Sequence, residues 1–221
     1  MLCLSSDFLR GFMQVLKCEK TILGNEIQLI GFENCKNPTL IIGVFHGDEP
    51  QGKFLIEEYL KDNSRVEEQS NVIFIPCLNP DGMQNGTRTN ANGVDLNRNF
   101  PTQNWELTEK NEFFGGETPA SETETRIVVD VIEKYQPKEI LTLHAPFKIV
   151  NYDGEAKALA EKISAIINYP VESSIGYPTP GSFGTYSGIE KNIPTITLEL
   201  DEVCPVEDLV KPVHKIFDLF L

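Results

Sequence analysis

Five stretches of this chain, residues 26–32, 39–45, 72–77, 140–144 and 195–200, are apolar with little interruption. A strand with one wet face alternates apolar and polar positions; these do not, so the pattern predicts a sheet covered on both sides. Between them, apolar residues recur at helical spacing. Ile127, Val128, Val131 and Ile132 share one face behind Ser121-Glu122-Thr123-Glu124, which reads as a capping box. Leu159, Ile163, Ile166 and Ile167 mark a second helix, and Leu209, Val213, Ile216, Phe217 and Phe220 mark the last. A further helix is predicted over 51–61. The elements assemble as a three-layer α/β/α sandwich, and the mixture of short and long connections predicts a mixed central sheet. At 221 residues the chain is read as one domain spanning 1–221.

Residues 78–118 break the pattern, with little periodicity and many Asn, Gly, Pro and Thr. Structureless stretches beyond about 12–15 residues inside a domain are usually functional or disordered. Polar side chains at fixed offsets from Gly and Pro predict a site-forming loop.

The chemistry begins at the end of the second apolar run. His46 is followed three residues on by Glu49, and His144, one of only three histidines, ends another apolar run. An imidazole pair with a carboxylate is a donor set that holds Zn²⁺ in hydrolases, leaving a fourth position for water. Singly, each has a structural reading: the His46/Glu49 spacing arises by chance, and a histidine at a strand end is often a hydrogen-bonded core residue. His214, on the apolar face of the last helix, reads as structural or surface.

Composition narrows the field. Hydrophobic content of 40% and charged content of 24% are ordinary for a globular protein. A formal net charge of −14 argues against nucleic acid or an anionic membrane as partner. Cys3, Cys18, Cys35, Cys77 and Cys204 are odd in number and lack metal spacing, which predicts reduced thiols and a cytoplasmic address. Asp7, Arg10 and Lys17 interrupt what a secretory leader would need as its apolar segment. No apolar run approaches the ~20 residues of a membrane span.

Within the long loop stand Asn79-Pro80-Asp81-Gly82, then Gly86-Thr87-Arg88, then Asp95-Leu96-Asn97-Arg98-Asn99-Phe100-Pro101; Thr197-Leu198-Glu199-Leu200 follows near the end. With His46, Glu49 and His144, in this order, they resemble the zinc metallocarboxypeptidase family, in particular its short bacterial branch of murein peptide amidases. The resemblance covers roughly Gly43 to Leu200. It implies one zinc ion per chain held by His46, Glu49 and His144, Glu199 as general base, and Arg88 as oxyanion stabiliser. It further implies that Asn97 and Arg98 bind a substrate carboxylate and that Tyr177 closes over that end, with Tyr152, Tyr169 and Tyr186 as competitors for the last role. No propeptide-like or accessory segment is expected. The implied substrate is a small peptide with a free carboxylate, and the implied reaction releases meso-diaminopimelate from its γ-D-glutamyl bond.

The implied roles make chemical sense. Zinc lowers the pKa of water to about 7, a separate carboxylate moves the proton, and an arginine stabilises the oxyanion. A planar guanidinium reads a carboxylate bidentately. Two arginines in one loop are conspicuous in so acidic a protein. For a diaminopimelate side chain, Asp201, Glu202, Ser182 and Thr185 remain open as pocket residues. Two other readings compete: an N-acyl amino acid deacylase of the aspartoacylase or succinylglutamate desuccinylase type, and a non-catalytic binder of peptide termini. The intact Asn97-Arg98-Asn99-Phe100-Pro101 leans against the first, and the presence of every ligand and the base leans against the second.

Overall fold

Thr39–Gly43 (β3) is buried along its whole length, with Val72–Ile75 (β4) parallel to it on one side and Glu139–His144 (β5) on the other. Continuous β-branched and leucine side chains give both faces something to pack against, as the uninterrupted apolar runs require. The computed structural model describes residues 13–61 and 71–221; Cys3, Asp7 and Arg10 lie outside them. Among the described residues the sheet has eight strands in the order β1-β2-β4-β3-β5-β8-β6-β7. The remaining strands are β1 (Gln14–Lys20), β2 (Glu26–Gly31), β6 (Ile149–Asp153), β7 (Val171–Glu172) and β8 (Thr195–Glu199). β3, β4, β5 and β8 run parallel, while β2 joins β4 and β6 joins β8 antiparallel. The sheet is mixed, as the connection lengths predict.

Helices cover both faces. α1 (Gln51–Lys61), α4 (Lys157–Ile167) and α5 (Val206–Phe217) pack on the face that carries Ile41, Leu141, Leu143, Ile196 and Leu198. α3 (Thr123–Tyr135) covers the other face, setting Ile127, Val128, Val131 and Ile132 against Leu40, Ile42 and Ile140. The helices end where local chemistry stops them: Gln136 and Asn168 adopt left-handed C-caps after α3 and α4. The predicted capping box does not form. α3 is capped at Glu122 without a side-chain cap bond, because Ser121 donates instead to the Glu122 carboxylate, and the Glu122 amide donates to Asn99 Oδ1.

Three strands escaped the apolar pattern. β1 is largely exposed, β6 carries Asn151 and Asp153, and β7 spans two residues. The 78–118 region does contain regular structure. Asn79 caps a short helix α2 (Pro80–Asn85), accepting from the Gly82 amide with Pro80 at the first turn. A 3-10 turn, Leu96–Arg98, follows under an Asp95 cap. The described cysteines, Cys18, Cys35, Cys77 and Cys204, are unpaired. No helix among the described residues is long and apolar enough to cross a membrane.

The α1/α4/α5 face has an aromatic centre. Phe217 packs edge-on against Tyr59 and Phe74, and His214 stacks on Phe217 while its Nε2 lies 3.0 Å from the Leu55 carbonyl oxygen. Of the two readings its helical position allows, structural or surface, the buried His214 takes the first. Phe217→Ala is expected to cost about 3–5 kcal/mol in denaturant melts.

Candidate metal centre and substrate cleft

The parallel strands β3, β5 and β8 end together, so their last side chains and following loops converge. In a parallel pair His144 sits level with Glu199. β3 is followed by Val44 at φ 56°, a left-handed conformation that is costly for a β-branched residue. It is held by two amides, Leu78 donating to the Gly43 carbonyl and Asn79 to that of Val44. The turn sends Phe45 against the His144 ring, stacked at 5.2 Å between centroids, and carries His46 into the centre. Gly47 lies against α2, where an added Cβ would stand 2.0 Å from the Gly82 carbonyl carbon.

Around this point the polar atoms close up. His46 Nδ1 lies 2.8 Å from Glu49 Oε1, His144 Nδ1 lies 3.1 Å from Glu49 Oε2, and the two Nδ1 atoms are 3.3 Å apart. The Ala145 amide donates to Glu49 Oε2. His46, Glu49 and His144 are buried and form a candidate metal site, the one such group among the described residues. Two imidazole nitrogens facing each other across a shared carboxylate fit a tetrahedral zinc ion that keeps an open position.

Electrostatics agree with that fit. Burial opposes ionisation of Glu49, but His46 and His144 outweigh it and hold the carboxyl well below its ordinary range. Burial would lower His46, yet Asp95 and Glu49 outweigh it and raise the imidazole pKa. Burial lowers His144 and keeps it neutral, as a ligand must be. A cation bound here competes with the proton on His46.

Glu199 completes the centre. It is 6% exposed, and its Oε2 has no hydrogen-bond partner among the described residues. Burial, and then the Glu49 charge, push its carboxyl up to about 8 against the opposing pull of His46, the Phe147 amide and Arg88. A buried carboxylate oxygen without a partner is costly and calls for a ligand.

Asp95 has no role in the sequence reading, yet it organises the site. Fully buried, it lies 3.2 Å from His46 Nε2 through Oδ1, which also accepts from the Asn97 amide. Its Oδ2 accepts from Arg88 Nε and pairs with Arg88 Nη2 at 2.9 Å. Arg88 Nη1 is then 3.7 Å from Glu49 Oε1, and its guanidinium lies 5.2 Å from the Phe113 ring centre. A carboxylate on the far nitrogen of a ligating histidine fixes its tautomer and ring plane. The available signal was an acid between apolar Val94 and Leu96, two residues before Asn97.

The other predicted residues gather beside this centre. Asn97 Oδ1 accepts from the Phe183 amide, which leaves Nδ2 without a partner among the described residues. Arg98 donates to the Asn97 carbonyl and lines a cavity of about 290 Å³ with Phe113, Gly115, Tyr177, Pro178 and Pro180. Of the four candidate lid tyrosines only Tyr177 reaches this cavity. It is 46% exposed between positive-φ Gly176 and Gly181, whereas Tyr186 is buried and Tyr152 and Tyr169 pack on the opposite core. Asp201 is occupied on the surface by Lys148 and the Val203 and Cys204 amides; Glu202 is exposed. Ser182 and Thr185 bond to one another.

Residues 10–164 match the zinc carboxypeptidase family model. Murein peptide amidase A of Escherichia coli (strain K12) is 34% identical over 176 residues, covering 74% of this chain and 71% of that protein. The amidase of the same name from Vibrio campbellii is 34% identical over 178 residues, covering 74% and 69%. The crystal structure of murein-tripeptide amidase from Escherichia coli O157 superposes with a TM-score of 0.81 at 28% identity, covering 91% of this chain and 89% of that one. Carboxypeptidase A from Helicoverpa armigera shares the fold, at a TM-score of 0.74 and 15% identity over 95% of this chain and 67% of that one.

Asp95→Asn is expected to weaken zinc affinity by about 10–100-fold, since the amide can hold neither the His46 ring plane nor Arg88 as the carboxylate does. Competition titration against a chelating dye measures this; an unchanged affinity would remove Asp95 from the support of His46.

Proposed function

The chain belongs to the zinc carboxypeptidase family, and from that premise we propose that it releases the C-terminal residue of a small murein peptide, meso-diaminopimelate from its γ-D-glutamyl bond. The observation that carries the reading is a buried, partnerless Glu199 oxygen beside the His46, Glu49 and His144 donors. The names of its amidase relatives support the substrate class. Residues 1–221 act in this proposal as one catalytic unit with one zinc ion, on peptides that reach the cytoplasm.

His46, Glu49 and His144 would hold the metal. Bound zinc would supply Lewis acidity, polarising the scissile carbonyl and bringing the pKa of water to about 7. Glu199 takes the proton from the attacking water and returns it to the leaving amine. A cation held by His46, Glu49 and His144 would oppose the burial that raises the Glu199 carboxyl and favour the ionised form that accepts the proton. Arg88, aimed by Asp95, stabilises the negative charge on the former carbonyl oxygen. Arg98 and the free Nδ2 of Asn97 bind the terminal carboxylate, and Tyr177 closes over it from the rim of their shared cavity.

Mass spectrometry after incubating the zinc-loaded protein with L-Ala-γ-D-Glu-meso-diaminopimelate should detect free diaminopimelate. Turnover of N-succinyl or N-acetyl amino acids in its place would favour the deacylase reading. Glu199→Gln is expected to keep its zinc and lose at least about a thousandfold in kcat; an active variant would remove Glu199 from the proton transfer. Arg98→Ala should lose far more kcat/KM on peptides with a free terminal carboxylate than on their amides. Equal losses would refute carboxylate reading by Arg98.

A further inference from the structure

The run Asn111-Glu112-Phe113-Phe114-Gly115-Gly116 sets two phenylalanines side by side, and the fold treats them differently. Phe114 is buried, with the Lys110 ammonium 5.4 Å from its ring centre, and its carbonyl accepts from the Asp95 amide at 2.8 Å. The next residue is pressed against the turn that bears Arg98. A Cβ on Gly115 would stand 2.6 Å from the Arg98 carbonyl oxygen, and the Gly115 carbonyl accepts from Asn99. Phe113 stays 44% exposed, yet its backbone is fixed, with its amide donating to Asn111 Oδ1 at 2.8 Å. That anchored segment holds the Phe113 ring over the Arg88 guanidinium, whose carbon lies 5.2 Å from the ring centre. Asp95 thus indexes both partners, Arg88 through its carboxylate and the Phe113 segment through its amide.

Arg88 lacks any other group that sets its plane. Its Nε and Nη2 both meet Asp95 Oδ2, at 3.0 and 2.9 Å. Two donors on one oxygen fix a point and let the guanidinium pivot about it, unlike a fork onto two oxygens. Nη1 stands 3.7 Å from Glu49 Oε1, beyond hydrogen-bond distance, so that carboxylate does not fix the plane either. An aromatic face can do so, because the ring attracts the cation and a planar guanidinium stacks on it. The contact also sits between two open spaces. Phe113 lines the cavity of about 290 Å³ that contains Arg98, while Arg88 lines a second of about 500 Å³ with Asp48, Lys110 and Phe114. Asn111 borders both. A ring on the cation at this junction keeps water off one face, and a less hydrated charge acts more strongly on a developing anion.

We propose that Phe113 is a positioning residue for hydrolysis, its ring fixing the plane of the Arg88 guanidinium so that Nη1 meets the carbonyl oxygen as that oxygen gains charge. The assignment rests on the carboxypeptidase reading, with Arg88 as oxyanion stabiliser, and adds to it a residue that acts through Arg88.

A double-mutant cycle on the zinc-loaded protein, with L-Ala-γ-D-Glu-meso-diaminopimelate as substrate, tests this. Phe113→Leu keeps an apolar side chain and removes the aromatic face. It should lower kcat about tenfold and move KM by less than about threefold. Phe113→Tyr and Phe113→Trp keep the face and should stay within about threefold of wild type. In an Arg88→Ala background Phe113→Leu should change kcat by less than about twofold, because the group it acts through is gone.

Four results overturn the assignment and leave the carboxypeptidase reading standing. These are a leucine variant as active as wild type, tyrosine and tryptophan variants as impaired as leucine, an equal loss with and without Arg88, and a loss carried by KM alone. The last would make Phe113 a substrate contact. An Arg88→Ala protein with wild-type kcat overturns the assignment together with the oxyanion role of Arg88, and a wild type that hydrolyses no murein peptide overturns the reading as well. Should Phe113→Leu fold poorly, Phe113→Met, also apolar and without a ring, carries the same expectations and is judged by the same results.

Discussion

Asp95 joins three pieces of chain that would otherwise be free to move separately. One oxygen faces His46 and caps the Leu96–Arg98 turn through the Asn97 amide; the other takes Arg88. His46, Arg88 and the turn that bears Asn97 and Arg98 are thus indexed to one buried side chain. The charges are mutually compensated, so that burial, which alone would raise the Asp95 pKa, is overcome by His46 and the arginines. The loop that bears these groups is braced from behind as well. Asn90 and Asn92 donate to the Glu122 carboxylate, and Asn99 donates to the Gly115 carbonyl. Preorganisation of this kind lets donors and charges act without moving when charge develops.

The two faces of the sheet carry different burdens. The α1/α4/α5 face is continuous aliphatic and aromatic packing with Phe217 at its middle, and it can be treated as the source of stability. The other face mixes apolar packing under α3 with polar positions that lead away from Glu199, and it accepts local costs. Val44 in a left-handed conformation and, among the described residues, a Glu199 oxygen without a hydrogen-bond partner and a desolvated Asp153 all lie along or beside it. Such costs persist where surrounding structure over-determines them, as the hydrogen bonds from the Leu78 and Asn79 amides to the Gly43 and Val44 carbonyls do for Val44.

How much of this could be read from the residues varies with the physics involved. The central parallel strands announce themselves because burial on both faces demands unbroken apolar runs, and α1 begins and ends where its spacing predicts. His46, Glu49 and His144 were legible because strand ends place side chains predictably, and the structure brings all three together. β1 and β6 were not, since an exposed edge and a strand interrupted by Asn151 and Asp153 lack the apolar signature. Nor was the Ser121 cap, which lost to a competing bond with Glu122. Asp95 needed three-dimensional knowledge: its importance lies in what it touches 49 positions away. Sequence left four tyrosines open for the lid; the fold sets Tyr177 on the cavity with Arg98 and packs Tyr152, Tyr169 and Tyr186 elsewhere.

The outer margins of the sheet bear on how the chain avoids its own kind. β1 sets Lys17, Glu19 and Lys20 along one rim, most of its side chains in water, and its register is broken between Val15 and Lys17. β7 closes the opposite rim with only two residues. Charge and irregularity at one border and brevity at the other both discourage intermolecular strand addition, the route by which open sheets polymerise. The aliphatic interior strands, whose sequences alone would be prone to fibrillar stacking, are thereby kept out of reach once folding is complete.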